Sequence, residues 1–68
     1  MRPATAAKGP WRILGLAEGA TPAEVRRAYR ALARRFHPDA HPHASESERR
    51  ALAARFDELT RAYRAIVA

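Results

Sequence analysis

An all-α fold, an antiparallel helical hairpin preceded by a short N-terminal helix, is predicted by three features of the sequence. Over residues 22–36 the apolar side chains Val25, Ala28, Tyr29, Leu32 and Phe36 fall on one helical face about 100° wide. Over 46–67 a second stripe repeats the pattern with Leu52, Phe56, Leu59, Tyr63 and Ile66. Between them, 37–45 carries two prolines and no apolar periodicity, a loop short enough to fold one helix back on the other.

Each element has a local cause. Residues 1–9 hold small side chains, Arg2, Lys8 and Pro3, and read as a mobile tail. Pro10 can start and Gly15 can stop a helix over 10–15, from which Trp11, Ile13 and Leu14 would cover one end of the helix pair. Ala17–Ala20, with Gly19, is a turn. Thr21 is placed to cap the free amides of the next helix, Pro22 suits its first position, and Glu24 completes a capping box. That helix ends at Phe36, because Pro38 biases His37 away from helical dihedrals. Ser45 followed by Glu48 repeats the capping box and starts the long helix 46–67. At about 1.5 Å per residue the two helices are about 22 and 33 Å long.

Size and charge exclude several functions. A chain of 68 residues makes one small domain or a piece of a larger protein. Such a domain buries only about 60% of its unfolded surface, which leaves no room for an enclosed substrate cavity. There is no cysteine, hence neither a disulfide framework nor a thiolate metal site. No apolar run approaches the roughly 20 residues of a membrane span, and the N-terminus lacks the apolar segment of a secretory signal. A cytoplasmic, reducing environment and a monomer without membrane contact are the expectation. The net charge of +6 and pI near 11.3 point to an acidic partner surface, a nucleic acid or an anionic membrane.

The candidate functional residues lie in one stretch. Arg26, Arg27, Arg30 and Arg34 fall on the face of helix 22–36 opposite its apolar stripe, with Arg35 at the border. The helix leads directly into His37, Pro38 and Asp39, which the hairpin places at its exposed end. His37, Asp39, His41 and His43 match no standard zinc spacing, so no metal or other cofactor is expected. His37 and Asp39 have neither a nucleophile nor a cleft beside them, and the expectation is a non-enzymatic protein. A small basic helical domain binding nucleic acid is the alternative. Against it, helix 22–36 carries none of the Asn, Gln, Ser or Thr with which recognition helices commonly read bases. An interfacial helix on anionic lipid is weaker still, since Val25, Tyr29 and Leu32 are committed to the hairpin.

Ile13-Leu14-Gly15-Leu16, the helix bearing Tyr29 and Leu32, His37-Pro38-Asp39 and the Phe56, Leu59, Tyr63 spacing together resemble the J-domain of DnaJ-like co-chaperones. The resemblance covers Pro10 to Val67. It implies a partner, the ATP-bound form of a DnaK-type chaperone, whose ATP hydrolysis the domain would stimulate. On this resemblance His37, Pro38 and Asp39 would be the stimulating tripeptide, Arg26, Arg27, Arg30 and Arg34 the docking face, and Tyr29, Leu32, Phe56, Leu59 and Tyr63 core residues. Three departures stand out. Trp11 and its neighbours replace the usual tyrosine-rich opening, and Ala40 stands where a basic residue often follows the aspartate. The chain stops at Ala68 without the short fourth helix of many members, and with no Gly/Phe-rich or cysteine-rich module to bind clients.

Overall fold

The computed structural model describes residues 9–67. The tail expected over 1–9 lies outside the described residues except for Gly9. Three α-helices are present and, among the described residues, no strand: α1 (Pro10–Ile13), α2 (Pro22–Phe36) and α3 (Glu46–Val67).

The expectation of a helix over 10–15 is corrected at its end. Gly15 takes φ 73°, its N–H donates to the Arg12 carbonyl at 3.0 Å, and the Leu16 N–H donates to the Trp11 carbonyl at 2.9 Å. These two bonds and a left-handed glycine make a Schellman cap, which stops α1 at Ile13. The cap also turns Trp11 and Leu16 toward the same core. A side chain at position 15 would strain that turn, so the Leu-Gly pair serves geometry.

Both helices of the hairpin start as the capping residues require. The Glu24 N–H donates to Thr21 Oγ1 at 3.1 Å and the Thr21 N–H to Glu24 Oε1 at 2.8 Å. Ser45 and Glu48 repeat this at 3.1 and 2.7 Å at the start of α3. The Ser45 backbone N–H, then the Ser45 side chain, hold the Glu48 carboxyl below its usual range, with a further contribution from His41. A depressed carboxylate adds stability above its unfolded pKa and loses it as pH falls through the folded value. Glu48→Gln should therefore melt below the parent at neutral pH, and the gap should shrink below about pH 4. Thermal melts across that range, with a gap independent of pH, would refute the assignment.

α2 and α3 run antiparallel, as their contacts show: Tyr29 meets Thr60 and Tyr63, Phe36 meets Arg55, and His37 meets Phe56. The core holds Leu14, Val25, Leu59 and Ala62, each nearly sealed from solvent. Trp11, Ile13, Ala28, Tyr29, Leu32, Phe36, Tyr63 and Ile66 pack around it. Tyr29 and Tyr63 stack at 4.5 Å between ring centroids and 17° between planes. The Tyr29 hydroxyl lies 3.0 Å from Thr60 Oγ1, which itself donates to the Phe56 carbonyl at 3.1 Å. With its one proton so used, Thr60 accepts from Tyr29, and the bond pins the register of the two helices. Tyr29→Phe should lower stability by about 0.5–1.5 kcal/mol in a denaturant melt. A loss of several kcal/mol would mean the hydroxyl has a second role.

Phe56 is the misplaced core residue. It is half-buried, outside the central cluster, and packs against His37 at the end of the hairpin. Ala62 takes the place in the core that Phe56 was expected to fill, because α1 packs on α3 as well as α2 does.

Candidate functional site

The site begins with α2. Its 15 residues carry five arginines against one glutamate, whereas the 22 of α3 carry five arginines against four carboxylates. On α3 three of the five arginines pair with carboxylates: Arg50–Glu46 at 3.2 Å, Arg55–Glu58 at 3.2 Å and Arg61–Asp57 at 2.9 Å. On α2, Arg26, Arg27, Arg30 and Arg34 are exposed and line one shallow groove with Ala23 and Ala31. Among the described residues none of these four pairs with a carboxylate within 4.0 Å. Small alanines between them leave the guanidinium groups open to a partner. Arg35 does not belong to this face. It lies over the Phe36 ring at 5.8 Å, with Arg55 at 5.5 Å on the same ring.

The groove leads into the loop through Arg34, which also lines a hollow with Ala33, His37, Asp39, Ala40 and Phe56. The loop expected over 37–45 contains structure of its own. His37 is extended, with φ −67° and ψ 136°, and Pro38–Ala40 form a 3₁₀ turn. The Ala40 N–H donates to the His37 carbonyl at 2.9 Å and the His41 N–H to the Pro38 carbonyl at 3.0 Å. His37 caps this turn: its Nδ1 accepts from the Asp39 N–H at 3.1 Å. An amide can only donate, so Nδ1 is unprotonated in this arrangement and Nε2 carries the proton. The Asp39 Oδ2 stands 3.7 Å from the same Nδ1, too far for a hydrogen bond. Of the two contacts the shorter one defines the state shown.

Three side chains tie the 37–45 loop to the helices. Phe56 meets the His37 ring edge-on, with 5.5 Å between centroids and 86° between planes. His41 Nε2 donates to the Arg35 carbonyl at 2.8 Å, satisfying an orphan acceptor at the end of α2. Arg49 Nε reaches the Ala44 carbonyl at 3.4 Å. The His37 side chain is left 49% exposed and that of Asp39 93%, so the carboxylate points wholly into solvent while the imidazole is held on one side.

His37, Pro38 and Asp39 thus occupy one end of the hairpin, and Arg34 of the predicted basic face adjoins them. Arg26, Arg27 and Arg30 continue that face along α2. The support from Phe56 and His41 was missed by sequence reasoning. A His two residues after the aspartate carries no periodic signal, and Phe56 sat in an apolar stripe that explained it already. Among the described residues no group of three or more His, Cys, Asp or Glu is placed to hold a metal, and no helix is long and apolar enough to cross a membrane.

This geometry joins the sequence pattern in defining a J-domain. The family model described as DnaJ domain matches residues 10–67, and the chain belongs to that family. It is 47% identical over 53 residues to the chaperone protein DnaJ of Chlamydia trachomatis serovar L2, covering 78% of this chain and 12% of that one. To the chaperone protein DnaJ of Caldicellulosiruptor saccharolyticus it is 43% identical over 56 residues, covering 82% of this chain and 13% of the relative. The chaperone protein DnaJ of Carboxydothermus hydrogenoformans is likewise 43% identical over 56 residues, with 78% and 13% covered. The chain therefore spans about one eighth of the length of these curated relatives. No solved structure gives a significant match.

Proposed function

We propose that this domain is a non-enzymatic co-chaperone module that docks on the ATP-bound form of a DnaK-type chaperone and stimulates its ATP hydrolysis. The arginine face of α2 makes the encounter, and His37, Pro38 and Asp39 deliver the stimulus. The observation that carries this reading is the continuity of the two parts. Four arginines without carboxylate partners among the described residues lie on the helix that ends in the exposed turn, and Arg34 borders both.

The chemistry follows from what each part offers. Exposed guanidinium groups attract an acidic surface over the screening length of about 8–10 Å and speed association. Asp39 accepts a charge-assisted hydrogen bond from an Arg or Lys of the partner. Pro38 fixes one backbone dihedral between the two polar groups, so less freedom is lost when they are bound. Stimulation then means that the domain binds one conformation of the chaperone more tightly than another and shifts it toward the hydrolysing state.

Single-turnover ATP hydrolysis by a DnaK-type chaperone, with and without the domain, tests the reading. A salt-matched titration with nucleic acid tests the alternative. Acceleration with no nucleic-acid binding supports the co-chaperone reading, and binding to nucleic acid without acceleration would replace it. The docking face has its own test. Arg26→Glu with Arg30→Glu should leave the helical circular dichroism intact and weaken the partner at low salt, with partial rescue at higher domain concentration. Unchanged affinity in the double variant would remove this face from the interface.

A further inference from the structure

We infer that the stimulating turn has two proton states, and that only the one with His37 neutral and its proton on Nε2 presents Asp39 to the partner. The inference rests on the co-chaperone reading for its effect and on geometry alone for its mechanism. His37 Nδ1 has a single lone pair, and the turn uses it to accept from the Asp39 N–H at 3.1 Å. A proton on Nδ1 therefore cannot coexist with the cap. The protonated ring has a replacement close by, since Asp39 Oδ2 is already 3.7 Å from Nδ1. Closing that gap to the 2.7–3.2 Å of a hydrogen bond takes a small rotation of an exposed side chain.

The two states differ in what they offer outward. In the neutral state the Asp39 carboxylate is 93% exposed, and the Nε2–H is the donor that His37 has left for a partner. In the protonated state Asp39 Oδ2 accepts from the Nδ1–H, which turns the carboxylate back onto His37 and offsets part of its charge, while the Asp39 N–H is released. The groups facing His37 have been placed above: Asp39 from its own turn, Arg34 from α2, and the uncharged ring of Phe56 from α3. Phe56 holds the ring edge-on and limits its rotation, so the switch works through the carboxylate and the amide.

Long-range proton–nitrogen correlation of the His37 ring in the intact 68-residue chain, at about pH 7.5 and about pH 5.5, reads the two states directly. The expected result is the Nε2–H tautomer at the higher pH and, on acidification, a ring titration matched by movement of the Asp39 amide signal. An Nδ1–H tautomer at neutral pH, or an Asp39 amide indifferent to the ring, overturns the proposal. His37→Asn gives the control, because its side-chain oxygen can accept from the Asp39 N–H without titrating. Its Asp39 amide should stay in place at both pH values, and an equal shift there would assign the change to another group and overturn the proposal. In the partner assay, fold-stimulation over the chaperone's own rate at each pH should be lower at the lower pH. Equal stimulation at both pH values overturns the gating. Absence of stimulation at either pH would instead sink the co-chaperone reading, and the ring and amide signals would still decide the two states.

Discussion

Asp39→Asn is expected to remove most of the stimulation of a partner chaperone while leaving the domain folded. The carboxylate is 93% exposed, and the cap of the turn uses the Asp39 backbone N–H, which the variant keeps. On the proposed reading, what is lost is one charge-assisted hydrogen bond to the partner, worth about 1.5–3 kcal/mol. That is roughly ten- to a hundredfold in binding or in rate. Far-ultraviolet circular dichroism and the melting midpoint should be nearly unchanged, because the side chain lies almost wholly in solvent. His37→Gln should also lose stimulation, for two reasons at once: it removes the Nδ1 cap and the outward Nε2–H. Comparing the two separates presentation of the turn from its chemistry. Parent-level stimulation of single-turnover hydrolysis by Asp39→Asn would reduce His37-Pro38-Asp39 to an ordinary turn.

The largest effect on stability should come from Leu59→Ala. Leu59 is 0% exposed and lies where all three helices meet, beside Leu14, Val25 and Ala62. Truncation removes three buried carbons and leaves a cavity that rigid helices close poorly, at a cost of about 2–5 kcal/mol. A domain of this size has a total stability of only about 3–10 kcal/mol. Broad or absent thermal transitions are therefore expected for Leu59→Ala at room temperature. Phe56→Ala should cost less, since Phe56 lies outside the cluster and half in solvent, and it should instead loosen the His37 ring. A larger loss of melting midpoint for Phe56→Ala than for Leu59→Ala would put the centre of the core in the wrong place.

Much of the fold was legible because its causes are local. Thr21, Pro22 and Glu24 satisfy the first amides of a helix wherever that helix is packed, and Ser45 with Glu48 does the same. Pro38 ends α2 by its own sterics. The misreadings were of another kind. Gly15 marks the stop of α1 in the sequence, yet the helix ends two residues earlier, because a Schellman cap spends its glycine outside the helix. The 37–45 segment reads as a loop without periodicity, and the side-chain bonds from His37 and His41 that order it leave no periodic trace.

By itself, the sequence determined three helices, two capping boxes, an apolar face on each long helix, and an unbalanced arginine face running into His37-Pro38-Asp39. These depend on spacing along the chain and on the chemistry of near neighbours. Only the tertiary structure decided which apolar residues reach the centre. The stripe of α3 is shared between α1 and α2, so Leu59 and Ala62 are sealed while Phe56 is pushed to the end of the hairpin. It alone placed Thr60 against Tyr29 and Phe56 against His37, pairs far apart in the chain. It alone assigned the proton of His37 to Nε2, since a tautomer is fixed by the partner that the other nitrogen finds in space.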